Sequence, residues 1–175
     1  IRSMIPPPGA FHSSPETIDY ADLYRKGYRG VIFDIDNTLV PHGAPATKEA
    51  AAFFASLRET GFSTCLLSNN QKPRVAPFAD AVGSIYIENA HKPSVKNYQE
   101  ACRRMGIKEE QAVFVGDQLF TDVYGAKRTG LYNILTEPIN PKEEIQIVLK
   151  RYLEHIVLFF YERDLARGRI TKKNS

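Results

Sequence analysis

The sequence predicts an α/β fold, a central parallel sheet covered by helices on both faces in three layers. Three observations predict it. Short apolar runs alternate with helical patterns of about 8–14 residues. Most of the runs are continuous rather than alternating, as strands buried on both faces require. The polar residues collect just past the runs, where open α/β sheets bind ligands. The chain has 175 residues, which suits one domain. A chain of this size buries roughly 70% of its unfolded surface, enough for a substantial core.

The elements follow in order. Residues 1–15 hold four prolines and a glycine and read as an extended N-terminal arm. Asp19–Lys26 is a short helix closed by Gly27, and Val31–Phe33 is the first strand. Thr47 caps a helix through Glu59 that places Ala50, Phe53, Phe54 and Leu57 on one face, with Gly61 as its stop. Phe62–Leu67 is a strand, Lys72–Ala81 a helix and Ser84–Ile87 a short strand. Pro93 is placed in the first turn of a helix that ends at Met105 and Gly106. Ala112–Val115 is a strand, Thr121–Thr129 a helix and Leu131–Leu135 a strand. Pro141 opens a last helix through about Arg163. The organisation is therefore an arm (1–15), a core (16–140), and an amphipathic helix with a basic tail (141–175).

The net charge is +3, too small for a dedicated nucleic-acid binder. Its location says more than its size. Lys150–Ser175 carries 7 basic and 3 acidic residues, while the rest of the chain carries 16 and 17. The whole positive balance thus sits at the C-terminal end. Two cysteines, Cys65 and Cys102, exclude a disulfide scaffold and a Cys-based zinc site. No apolar stretch reaches the ~18 residues of a membrane span. The start lacks the basic-then-apolar layout of a signal peptide. The expected location is cytoplasmic.

Four strand ends deliver the polar residues. The first is followed by Asp34-Ile-Asp36-Asn-Thr38, the second by Ser68-Asn69-Asn70. Past the third come His91-Lys92-Pro93, and after the fourth Gly116-Asp117 and then Asp122. Clustered carboxylates repel unless a cation joins them, and hard oxygen donors without His or Cys suit Mg²⁺. A lysine and a hydroxyl beside such a cluster would bind an anion with several oxygens, and phosphate fits. Asp34 and Asp36 alternate along an extended segment, so one can attack while the other handles protons. Attack at phosphorus is then a matter of positioning and charge neutralisation, the latter supplied by the cation and Lys92.

In order and spelling these elements closely resemble the haloacid dehalogenase (HAD) superfamily of phosphohydrolases. DIDNT matches its D-x-D-x-T motif, Ser68 its strand-ending Ser or Thr, Lys92 its lysine, and Gly116-Asp117 with Asp122 its G-D-x-x-x-x-D. The resemblance implies a Rossmann-like HAD fold and a phosphoric monoester hydrolase. It implies that Asp34 is the nucleophile, forms an aspartyl-phosphate and ligates Mg²⁺. Asp36 protonates the leaving group and then activates water, its backbone carbonyl also touching the metal. Thr38 helps orient Asp36 and lies in the substrate-binding set. Ser68 and the amide of Asn69 hold phosphate oxygens. Lys92 offsets the charge. Asp117 and Asp122 complete the metal site.

Spacing bears on the substrate. Thr38 to Ser68 spans 30 residues and Ser68 to Lys92 spans 24, filled in each case by the elements already assigned. No cap domain fits at either place (a C0 layout), so the site is open and suits a bulky substrate. In the last helix Ile145, Val148, Leu149, Tyr152, Ile156, Phe159 and Phe160 form an apolar stripe, followed by Arg163, Arg167, Arg169, Lys172 and Lys173. That helix can pack on the sheet, lie as a peripheral element on an anionic membrane at its inner face, or make a homodimer contact. The capless layout, the D-I-D-N-T-L-V-P spelling and the L-L-S-N-N run further resemble the YqeG branch, which is similar to phosphatases of phosphatidylglycerophosphate. A phospholipid head group is therefore one substrate class. A soluble sugar phosphate, nucleotide or polynucleotide end is the alternative, with a receiver-type signalling domain and a non-catalytic scaffold behind it.

Overall fold

The computed structural model describes residues 9–118 and 125–166. Six strands make one parallel sheet: β1 (Ala10–His12), β2 (Gly30–Phe33), β3 (Ser63–Leu67), β4 (Ile85–Ile87), β5 (Ala112–Gly116) and β6 (Tyr132–Thr136). Their order across the sheet is β1-β6-β5-β2-β3-β4. The chain moves one way from β2 through β3 to β4. It then moves the other way from β5 to β6, beyond which the N-terminal β1 pairs at the edge. The order therefore reverses between β2 and β5, the place where open α/β sheets form their ligand crevice.

Alternate residues of each central strand feed different cores. Val31 and Phe33 join a cluster with Phe54, Leu57, Val75 and Phe78. Ile32 joins another with Cys65, Leu67, Tyr98, Cys102 and Phe114. All four residues of β2 and all five of β5 are buried, so the continuous apolar runs are explained by burial on both faces. The helices α1 (Tyr20–Arg25), α2 (Lys48–Thr60) and α3 (Lys72–Val82) contribute to the first cluster. The helices α4 (Val95–Met105) and α5 (Gly125–Thr129) contribute to the second.

Local signals act as the residues dictate. Thr47 accepts from the Ala50 amide at the start of α2, and Gly61 ends it in the left-handed region at φ 109°. Asp19 caps α1 through the Asp22 amide. At Gly125 a Cβ would come within 2.5 Å of the Tyr98 hydroxyl, so only glycine lets α5 approach α4 this closely.

Two expectations shift, and a third is described only in part. Ala10–His12, inside the expected arm, forms an edge strand, with Ala10, Phe11 and His12 paired to Ile134, Leu135 and Thr136. Three residues behind a proline run show no period, and their pairing is made by backbone groups alone. Pro93 lies outside α4, whose N-cap is Ser94. There the chain turns through a Ser94 amide bond to the His91 carbonyl, and the Lys92–Pro93 peptide is cis. The expected helix Thr121–Thr129 is described only as α5 from Gly125; residues 119–124 lie outside the described residues.

The chain divides by its contacts at residues 139 and 140. The second unit contains α6 (Pro141–Ala166), a helix of 26 residues. Along it Ile145, Leu149, Tyr152, Leu153, Val157 and Phe159 are each more than half exposed. Among the described residues no helix is long and apolar enough to cross a membrane.

Candidate active site

The site grows from the C-terminal ends of β2, β3 and β5 and from the segment after β4. The Asp34 amide donates to Val115 O, continuing the β2–β5 ladder by one residue and fixing where its carboxylate starts. Beyond it the chain folds into a tight loop. Leu39 N donates to Ile35 O, and Asn37 N to Val40 O. Asn37 takes φ 61°, a conformation its side chain type tolerates. Ile35 and Val40 are buried and anchor this loop, which carries Asp36 and Thr38.

Lys92 reaches back across the strand ends. Its Nζ donates to Asp34 Oδ1 at 2.7 Å, with both groups almost fully buried. Burying either charge alone would cost several kcal/mol, so this pair stands or falls together. The Lys92 ammonium also lies 5.7 Å from the Phe114 ring centroid. Its backbone amide donates to Asn69 Oδ1 at 2.8 Å, tying the third segment to the second. Ser68 is buried, and its Oγ accepts from the Asn70 amide at 3.1 Å. A hydroxyl held this way keeps its proton available for an oxygen of a bound anion.

Thr38 departs from expectation. Its hydroxyl donates to Asp117 Oδ1 at 3.0 Å rather than touching Asp36. The reason is that Asp36 turns toward α3, where stronger donors wait. Its Oδ2 accepts from Asn70 Nδ2 at 2.6 Å. Its Oδ1 accepts from Arg74 at 2.8 Å and from the Gly43 amide at 2.8 Å. Arg74 is a residue that sequence reasoning missed. It did leave a signal: a cation in the first turn of a helix opposes the macrodipole and calls for an anionic partner. His42 and His91 are both exposed, and neither joins these contacts. Asp122 lies outside the described residues.

The donor set suits a hard cation. Asp34 and Asp117 directly follow adjacent strands, both buried, with oxygen donors only. Among the described residues no group of three or more His, Cys, Asp or Glu side chains closes around a metal. This fits with the Asp36 carboxylate facing α3. A cation here would have two carboxylates, a backbone carbonyl and water, a set that Mg²⁺ accepts.

The Asp34–Lys92 pair, Asp36 two residues on and Ser68 at the next strand end thus gather at one edge of a Rossmann-like parallel sheet. The chain belongs to the haloacid dehalogenase-like hydrolase family, which it matches over residues 43–130, and it is a phosphatase of that type. It is 35% identical over 154 residues to the probable phosphatase YqeG of Bacillus subtilis, covering 87% of each chain. It is 29% identical over 161 residues to phosphatidylglycerophosphate phosphatase 1 of Arabidopsis thaliana, covering 86% of this chain but only 46% of that one. A hypothetical protein from Xanthomonas campestris shares the fold at a TM-score of 0.54 and 17% identity, covering 77% of this chain and 79% of that one. Phosphatases of this family generally use a divalent metal.

Proposed function

We propose that the chain hydrolyses a phosphomonoester through a covalent intermediate on Asp34. The carrying observation is the buried Asp34–Lys92 pair at 2.7 Å, with Asp36 two residues along the same segment. The Asp34 carboxylate attacks phosphorus and the ester P–O bond breaks. The leaving oxygen takes a proton from Asp36. Water then attacks the phosphoryl group, Asp36 accepts its proton, and inorganic phosphate departs. Ser68, the Asn69 amide and Lys92 hold phosphoryl oxygens. Thr38 serves by positioning Asp117. Asp34, the Asp36 carbonyl, Asp117 and Asp122 would hold Mg²⁺, which supplies charge neutralisation when bound.

The substrate reading rests on the Arabidopsis relative, on the absence of a sequence insertion long enough for a cap, and on α6. We take the substrate to be phosphatidylglycerophosphate at an anionic membrane, where the exposed apolar residues of α6 and the basic tail lie against lipid. The test is phosphate release from this lipid in mixed micelles with Mg²⁺, beside soluble phosphomonoesters. Wild type is expected to turn over the lipid fastest, and Asp34→Asn to lose about 10³-fold or more. Undiminished turnover by Asp34→Asn overturns the mechanism. Preference for a sugar phosphate or nucleotide overturns the substrate.

A further inference from the structure

The two oxygens of Asp36 are held unequally. Oδ1 accepts two hydrogen bonds, from Arg74 Nη2 at 2.8 Å and from the Gly43 amide at 2.8 Å. Oδ2 accepts one, from Asn70 Nδ2 at 2.6 Å. A carboxylate oxygen has two lone-pair sites, so among the described residues Oδ1 is fully taken and Oδ2 keeps one site open. The donors also come from different places. Oδ1 is bonded to the segment after Val40 and to α3. Oδ2 is bonded to the loop after β3, which carries Ser68 and Asn69. Asn70 is fixed within that loop, its amide donating to Ser68 Oγ at 3.1 Å and its carbonyl accepting from the Asn89 amide at 2.9 Å. A group that gives and takes a proton needs an oxygen with a free site within reach of the reacting group. Oδ2 meets that need and Oδ1 does not.

We infer that Arg74 is a positioning residue for proton transfer: it anchors Asp36 by Oδ1, and so keeps Oδ2 turned to the 68–70 loop as the oxygen that handles the proton. This rests on the phosphatase reading above and adds to it the residue that aims the acid. The bond from Arg74 is the charge-assisted one of the pair on Oδ1, and therefore the stronger. It is also shielded, with the Arg74 and Asp36 side chains only 21% and 11% exposed, so water screens it less than a surface ion pair. Arg74 is steadied in turn. Its guanidinium carbon lies 5.6 Å from the ring centroid of Phe78, four residues on along α3, and Phe78 is itself buried in the core. A planar guanidinium fixed at its stem dictates the direction of the carboxylate it holds, which a flexible ammonium does less well. Without Arg74 the carboxylate keeps two neutral donors on opposite oxygens and is free to turn between them.

The experiment compares two phosphomonoesters of similar bulk, p-nitrophenyl phosphate and benzyl phosphate. Nitrophenolate leaves without a proton, whereas the far more basic benzyl alkoxide needs one as its P–O bond breaks. The ratio kcat/KM reads this step, since release of phosphate from the enzyme is common to both. Asp36→Ala is expected to lose about 10²–10⁴-fold in kcat/KM on benzyl phosphate and far less on p-nitrophenyl phosphate. Arg74→Met should show the same selectivity on a smaller scale, losing at least about 10-fold more on benzyl phosphate. Arg74→Lys, which keeps a charged donor, should recover part of that loss. In the Asp36→Ala background Arg74→Met should cost less than about 2-fold, because nothing is left for it to position. Equal losses on the two substrates, or losses that add in the double variant, overturn the proposal. Selectivity in Asp36→Ala that is missing in Arg74→Met faults Arg74 alone and leaves the mechanism standing. No selectivity in Asp36→Ala removes the acid role of Asp36 and the proposal with it. Thermal melting confirms that each variant folds, and Arg74→Gln replaces Arg74→Met if that one does not.

Discussion

At the scale of single residues, burial decides which side chains do chemistry and which are silent. Asp34 and Lys92 can be buried because each neutralises the other. Cys65 and Cys102 are buried in an apolar cluster, and burial, the largest cause, pushes both thiols up to about 12, outweighing the opposing pull of Arg104 on Cys65. The thiolate is the reactive form, so both should stay unmodified by iodoacetamide at pH 8 while the chain is folded. Both should alkylate after denaturation in urea. Rapid native alkylation, read by mass spectrometry, would mean that the core around them opens. Asp36 shows the opposite pattern, a partly exposed carboxylate crowded by three donors, Gly43 and Asn70 from two loops and Arg74 from α3. Its aspartate neighbours were legible from spacing. Its turn toward α3 was not, because the preference arises from Arg74, Asn70 and Gly43 meeting only in the folded chain.

At the scale of elements, punctuation was easier to read than edges. Thr47 and Gly61 bound α2 as the residue types require, since one has a capping oxygen and the other reaches φ 109° without a Cβ. Gly61→Ala should therefore destabilise the protein. A left-handed alanine costs about 1 kcal/mol, and its Cβ would also press on the Tyr24 ring from 2.9 Å. The expected fall in melting temperature is roughly 2–6 °C for a loss of about 1–2 kcal/mol in a chain of this size. No fall would mean that the α1–α2 contact shifts freely. The strand β1 was not legible because it has no apolar signature; Phe11 is exposed and the pairing is carried by main-chain bonds to β6. Pro93 was misplaced by two residues for a similar reason. Proline fits a first helical turn, but here the His91–Ser94 turn comes first and Ser94 takes the cap.

For the molecule as a whole, the order of strands explains why motifs far apart in sequence share one edge. β2 lies between β3 and β5, so Asp34, Ser68 and Asp117 follow neighbouring strands although 34 to 117 spans half the chain. The sequence patterns showed that these residues follow strands; the right-to-left reversal that makes the strands neighbours is a property of topology. The charge distribution belongs to the same scale. A body close to neutral ends in a helix with exposed Leu149, Tyr152, Leu153 and Phe159, and then in a basic tail. Co-sedimentation with phosphatidylglycerol vesicles is expected at low salt and should weaken as salt screens the tail. Binding that survives removal of the residues after Arg163 would take the tail out of the anchor. A concentration-dependent dimer with no vesicle binding would assign the apolar face of α6 to a second copy.

The most direct measurement traps the covalent intermediate. The protein is incubated with substrate and Mg²⁺, quenched in acid and reduced with tritiated borohydride, which converts an aspartyl-phosphate to labelled homoserine. Peptide mapping should place the label at Asp34, dependent on substrate and lost in Asp34→Asn. Phosphate release without label, or label at any other residue, would contradict the assignment of Asp34 as the nucleophile.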